Sequence, residues 1–106
     1  MSLISVLPEG LYCEPGGFFV DPWKGVDVAL ITHAHSDHAR SGSSRYLATS
    51  ISAGILKKRL GEGIALQGVE YGEKIKLGST WVSFHAAGHV LGSAQIRVEH
   101  GDEVWV

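Results

Sequence analysis

The run Thr32-His33-Ala34-His35-Ser36-Asp37-His38 sets four potential metal ligands within six residues, in the pattern His-x-His-x-Asp-His. A further histidine, His89, follows inside Ala86-Ala87-Gly88-His89-Val90-Leu91-Gly92. Imidazole and carboxylate together are borderline donors that suit zinc and similar transition metals. A zinc ion with an open coordination position lowers the pKa of its bound water to about 7, so a nucleophile exists at neutral pH. The chemistry open to these residues is metal-assisted hydrolysis.

The spacing suits that chemistry. On an extended segment His33 and His35 point to the same side and can reach one ion. Asp37 and His38 come where the chain is expected to turn, and can face a second ion beside the first. Two ions about 3.5–4 Å apart hold both the attacking and the leaving oxygen of a displacement. His89 lies between Gly88 and Gly92, residues that let a backbone bend tightly. Ligating histidines need partners that fix their tautomers, and Asp27, Thr32 and His85 are candidates. Scattered surface histidines with a capping aspartate are the bland alternative, poor for so dense a cluster after a buried-looking strand. A structural zinc site usually includes cysteine and closes with four ligands. The chain's single cysteine, Cys13, is remote from the cluster.

The elements that must position these groups are short. Leu3 to Leu7, Leu11 to Glu14 and Gly17 to Val20 read as strands, broken by Pro8-Glu9-Gly10 and Pro15-Gly16-Gly17 and ended by Asp21-Pro22. Val26 to Thr32 is a continuous apolar run, the mark of a strand covered on both faces. The ligand cluster begins at its C-terminal end, where open α/β sheets place their sites. Arg45 to Thr49 reads as a strand. Ser50 to Leu60 reads as a helix with Ile51, Ile55, Leu56 and Leu60 on one face, Thr49 or Ser50 capping its start and Gly61 closing its end. Ile64 to Tyr71, Glu73 to Leu77 and Thr80 to Ala86 are further strands. Ala94 to Glu99 alternates, with Ile96 and Val98 one way and Gln95, Arg97 and Glu99 the other. A turn at Gly101-Asp102 leads to a last strand, Val104 to Val106.

Bulk properties set limits. The 106 residues suffice for one core, and 44% hydrophobic with 19% charged residues is ordinary for a soluble globular protein. A formal net charge of −2 offers no broad basic surface for a nucleic acid, although a local basic groove remains compatible with it. One cysteine excludes an internal disulfide. A lone thiol without a secretory leader fits a reducing, cytoplasmic setting. No apolar run is long enough to span a bilayer, so no membrane partner is expected.

At its motifs the chain resembles the metallo-β-lactamase superfamily of hydrolases: His33-x-His35-x-Asp37-His38 matches the first metal motif and His89 the next histidine. Ala87-Gly88-His89-Val90-Leu91-Gly92-Ser93-Ala94 resembles the nuclease branch, which includes β-CASP RNA-processing and DNA-crosslink-repair types. Gly10-Leu11-Tyr12-Cys13 with Phe19-Val20-Asp21-Pro22-Trp23, and Gln95 to Glu99 with Glu103 to Val106, look most like bacterial DNA-ligase-associated exonucleases. The resemblance implies an α/β fold that is α+β by content: the β-rich N-terminal half of a four-layer αββα sandwich, with residues 1–106 forming a single piece. It implies that His33, His35 and His89 hold one zinc ion and that Asp37 and His38 contribute to a second. Asp37 is also the candidate catalytic residue, orienting a metal-bound hydroxide that attacks a phosphodiester in line. A DNA substrate and a DNA ligase or repair partner follow from the same resemblance.

The sequence departs from that pattern after Val106, where relatives continue to a bridging aspartate and a later histidine. The chain therefore reads as the N-terminal portion of a longer enzyme with two zinc ions. Alone it is expected to hold one ion or none, to be weakly active or inactive, and to self-associate through a sheet face left uncovered. The alternatives are a β-CASP-type RNA-processing nuclease, a small-molecule metallo-hydrolase acting on thioesters or lactams, and, from another class, a non-catalytic metal-binding or interaction module. Arg40 and Arg45 are phosphate candidates or solvated surface residues. Lys57-Lys58-Arg59 suit a helix C-terminus. Core packing is the expectation for Trp81 and Trp105, a partnering or structural role for His85, a turn for His100, and a small buried apolar role for Cys13.

Overall fold

The computed structural model describes residues 3–32, 41–61, 63–86 and 94–106. In chain order the strands are β1 (Ile4–Leu7), β2 (Gly10–Cys13), β3 (Phe18–Val20), β4 (Val28–Leu30) and β5 (Arg45–Thr49). Helix α1 (Ser50–Leu60) follows, then β6 (Leu66–Val69), β7 (Lys74–Leu77), β8 (Thr80–Ala86), β9 (Ala94–His100) and β10 (Glu103–Trp105). They form a six-stranded sheet in the order β1-β2-β3-β4-β5-β6 and a four-stranded sheet in the order β10-β9-β8-β7. The first three strands are an antiparallel meander, and β3 to β6 are parallel. Parallel neighbours need crossovers, and α1 is the crossover from β5 to β6.

Period-two alternation builds the interior. Cys13, Phe18, Val20, Leu30, Leu47 and Val69 face Leu77, Val82, Phe84, Ile96 and Val98 of the other sheet. The opposite side of the large sheet presents Ala29, Ile31, Tyr46 and Ala48 to Leu56 of α1. Strand β4 is thus covered on both faces, as its unbroken apolar run requires. Its ladder is shorter than the run, but Ile31 still donates to Leu47 O at 2.9 Å.

Helix α1 has the bounds its sequence suggests. Thr49 is the N-cap, its hydroxyl accepting from Ser52 N at 3.3 Å, and the Gly61 N–H returns to Lys57 O at 2.9 Å. Such a cap contributes about 1 kcal/mol. The inward face differs from expectation. Ser52 and Leu56 are buried, whereas Ile51 and Ile55 are 44% and 45% exposed. The face turned to the sheet runs through Ser52 and Leu56, one residue on from the Ile51 and Ile55 face.

The outer face of the four-stranded sheet carries no helix among the described residues. It is built from Lys74, Lys76, Arg97 and Glu99 with Trp81 and Val104, whose side chains cover Ser83, so this face is mostly polar rather than apolar. Trp81 departs from the core role expected of it. It shares the outward parity of Ser83 and His85, is 46% exposed, and lies under the Lys76 ammonium 5.0 Å from its ring centre. Trp105 is half-buried against the inter-sheet core. Glu99 sits between Arg97 and Lys74, each 3.3 Å away, and these cations, Arg97 first, hold its carboxyl below the usual range. No helix among the described residues is long and apolar enough to cross a membrane.

Candidate metal centre

His33, His35, Asp37, His38 and His89 lie outside the described residues, as does Arg40. The structure does describe the residues at which their two stretches begin and end. Thr32 precedes the first stretch, and Ala86 and Ala94 bracket the second. These three meet. Ala94 N donates to Thr32 O at 2.8 Å, and Ala94 pairs with Ala86 across the β8–β9 ladder. The two sheets are joined by the backbone where the first stretch begins and where the second both begins and ends.

Thr32 is fastened from a second direction. Asp21 accepts from Thr32 N at 2.9 Å and from Thr32 Oγ1 at 2.6 Å, while its own N–H donates to Leu30 O at 2.9 Å. Asp21 adopts a φ of 45° to do this, a conformation that aspartate tolerates better than most residues. The sequence reading gave Asp21 only the duty of ending β3. The signal available was an aspartate directly before proline, beside the strand leading into the motif. Thr32, an expected partner for the ligands, is placed next to them by covalent connection. Asp27, also a candidate, offers its backbone carbonyl to Arg45 N at 2.9 Å and leaves its side chain exposed.

The far end of the first stretch is fixed as firmly. Ser43 Oγ accepts from Val26 N at 3.1 Å, Ser43 N donates to Tyr46 Oη at 3.0 Å, and Ser44 N donates to Val26 O at 2.9 Å. Gly25 and Gly42 pass so closely that a Cβ on Gly25 would lie 2.4 Å from Gly42 O. Gly25→Ala must push the two backbones apart, and overpacking of this kind costs about 1–3 kcal/mol. A corresponding fall in the urea midpoint is the expected result, and an unchanged midpoint would show that the clamp yields freely.

His85, on β8, holds Ser83 Oγ at 2.8 Å through Nε2, which agrees with a partnering or structural role. Arg45 donates to Gln67 Oε1 at 2.8 Å, so this candidate phosphate contact is engaged on the exposed side of β5–β6. Cys13 is fully buried between the sheets, where loss of solvent pushes its thiol pKa up. That place agrees with the small buried apolar role expected of it. Among the described residues no group of three or more histidine, cysteine, aspartate or glutamate side chains could hold a metal ion.

A cleft of about 310 Å³ opens beside Thr32, between the two sheets. Leu11, Val20, Ile96, Trp105 and Val106 form its apolar walls, and Asp21, Thr32 and Gln95 its polar side. An apolar cavity with a few converging polar groups is the usual form of a ligand site, and this one abuts the start of the His-x-His-x-Asp-His stretch.

No protein-family model matches the chain. A probable DNA ligase of Opitutus terrae is 31% identical over 95 residues, spanning 89% of this chain and 9% of that protein. A metallo-β-lactamase HARLDQ-motif mutant of Cronobacter sakazakii superimposes with a TM-score of 0.56 at 17% identity, over 93% of this chain and 51% of the other. CmlA, a diiron β-hydroxylase from Streptomyces venezuelae, superimposes with a TM-score of 0.54 at 24% identity, over 74% of this chain and 19% of the other. The chain therefore spans a small part of the ligase it matches and about half of the metallo-β-lactamase. These likenesses show the fold: a β-rich α+β assembly of two sheets and one helix that matches part of the metallo-β-lactamase fold.

Proposed function

We propose that this chain is part of a zinc-dependent hydrolase of the metallo-β-lactamase superfamily, a phosphodiesterase with exonuclease action on DNA. The observation that carries the reading is the junction of Thr32, Ala86 and Ala94, since it brings the start of the first candidate-ligand stretch to both ends of the second. The donor set fits zinc in an open, catalytic arrangement: imidazoles and a carboxylate, with the thiol withdrawn into the core. In this proposal His33, His35 and His89 hold one ion, and Asp37 and His38 contribute to a second. Zinc, when bound, supplies a Lewis acid and acidifies water. Asp37 orients the attacking water. Asp21 restrains Thr32, and through it the start of the ligand stretch. The cleft beside Thr32 receives the substrate next to the ligands. The DNA substrate, and a ligase or repair partner, are supported by the likeness to a probable DNA ligase.

Cleavage of single-stranded DNA, RNA and a thioester by the zinc-loaded protein tests the proposal. The comparison covers the chain alone and the chain joined to a C-terminal portion that supplies a bridging aspartate. Scission of DNA by the joined protein, with slow or no turnover by the chain alone, is the expected result. Preference for RNA or the thioester selects a β-CASP-type or small-molecule hydrolase instead. Tight binding of one metal with no turnover in either form identifies a non-catalytic module.

A further inference from the structure

The outer face of the four-stranded sheet gathers positive charge around an aromatic ring. Strand register sets its side chains in rows. Lys76, Trp81, Glu99 and Val104 stand side by side on β7, β8, β9 and β10. In the next row Lys74 and Arg97 flank β8 over the buried Ser83. These rows hold three cations and one carboxylate, so the face is positive on a chain whose formal net charge is −2. Trp81 is its half-exposed centre. On one side the Lys76 ammonium lies 5.0 Å from the ring centre. On the other stands Glu99, joined to Arg97 and Lys74. Cations grouped around an accessible aromatic ring are the two components with which proteins hold single-stranded nucleic acid: charge tracks the backbone, and the ring takes a base.

We propose that this face binds a single strand of nucleic acid, with phosphates along Lys74 and Lys76 and a base stacked on Trp81. Alternate residues of a strand lie about 6.6 Å apart, so the two lysines of β7 offer positive charge at a regular step to an extended backbone. Arg97, across β8 from Lys74, supplies a third cation to the same strand. Lys76 rests on the Trp81 ring in the free chain, and the base takes its place. An exposed ammonium–indole contact is worth a factor of about 2–5, whereas a base stacked on an aromatic side chain is worth about 5–150. The exchange therefore favours the base, and it releases the ammonium to a phosphate. A duplex keeps its bases stacked on one another and gains the charge contacts alone. The cleft at Thr32 lies between the sheets, on the other side of these strands, so this surface does not rest on the proposed chemistry.

Fluorescence anisotropy of a labelled oligodeoxythymidylate tests the proposal, with EDTA present so that nothing is cut and melting temperature recorded for every variant. The unmodified chain is expected to bind with a log–log salt slope of about −2, since each cation on a single strand contributes about −0.7. Affinity then falls roughly twentyfold between about 50 and 200 mM salt. Trp81→Ala weakens binding about tenfold, and Trp81→Phe retains most of it. Lys76→Gln makes the slope shallower by about 0.7. Glu99→Gln releases Arg97 and Lys74 and strengthens binding about threefold, a gain that a carboxylate serving the fold alone does not produce. His89→Ala leaves the affinity unchanged. No binding at low salt overturns the proposal. So does equal affinity for a duplex, which marks a patch that reads charge alone, or undiminished binding by a folded Trp81→Ala variant. Loss of binding in His89→Ala places the strand at the metal centre and overturns it as well. Scission of DNA with zinc added reads the proposed chemistry separately, so either can fail without the other.

Discussion

Titration of the chain with zinc is expected to fill one site, and His89→Ala is expected to empty it. A complete four-ligand zinc site contributes on the order of 10–16 kcal/mol. One ligand is then worth roughly 3 kcal/mol, or about a hundredfold in affinity. His89 is the informative position because it is far in sequence from His33 and His35. The bond between Ala94 N and Thr32 O joins the residue that follows its stretch to the residue that precedes theirs. His33→Ala and His35→Ala are expected to match it, and His100→Ala, at the far end of β9, to leave zinc affinity unchanged. Asp37 and His38 supply two donors, too few for the four-coordinate geometry zinc prefers, so a second ion is expected to bind weakly. Calorimetry with an added chelator reads all of these. Undiminished zinc affinity in the His89 variant would remove the ground for a converging site.

The second large effect concerns the junction between the sheets. Phe84 is fully buried on β8, opposite Ile96, and packs in the core that both sheets share. Phe84→Ala leaves a cavity that costs about 3–5 kcal/mol. Native domains are stable by only about 5–15 kcal/mol, so the variant is expected to melt roughly 15–30 °C lower. Zinc binding should weaken in parallel near the new melting point, because β8 leads directly into the stretch that holds His89. Trp81→Ala on the same strand removes a larger side chain from a half-exposed place, yet should cost less than Phe84→Ala. Equal costs for the two would mean that β8 is not seated between the sheets with Phe84 inward.

The bounds of several elements and the alternation along β9 are readable in the chain because each is local. Thr49 binds Ser52 N, Gly61 N–H returns to Lys57 O, and β5, α1 and β8 have the bounds their patterns suggest. Local pattern failed where more than one face was open to an apolar side chain. Ile51 and Ile55 look inward on a helical wheel, but the sheet takes the face of Ser52 and Leu56 and leaves them exposed. Trp81 looks like core by residue type, but its parity on β8 is opposite to that of Val82 and Phe84 and puts it on the face without a helix.

The sequence by itself determined which side chains are to hand, three imidazoles and a carboxylate within six residues with His89 beyond, and the proposed chemistry rests on those types. Tertiary structure alone decided what meets what. Asp21 holding Thr32, Ala94 bonding Thr32 across the two sheets, and Cys13 withdrawn into the core are contacts between residues distant along the chain. Side-chain type and spacing act over a few residues of backbone, whereas which strand ends coincide depends on sheet order and register, set by the packing of the whole core.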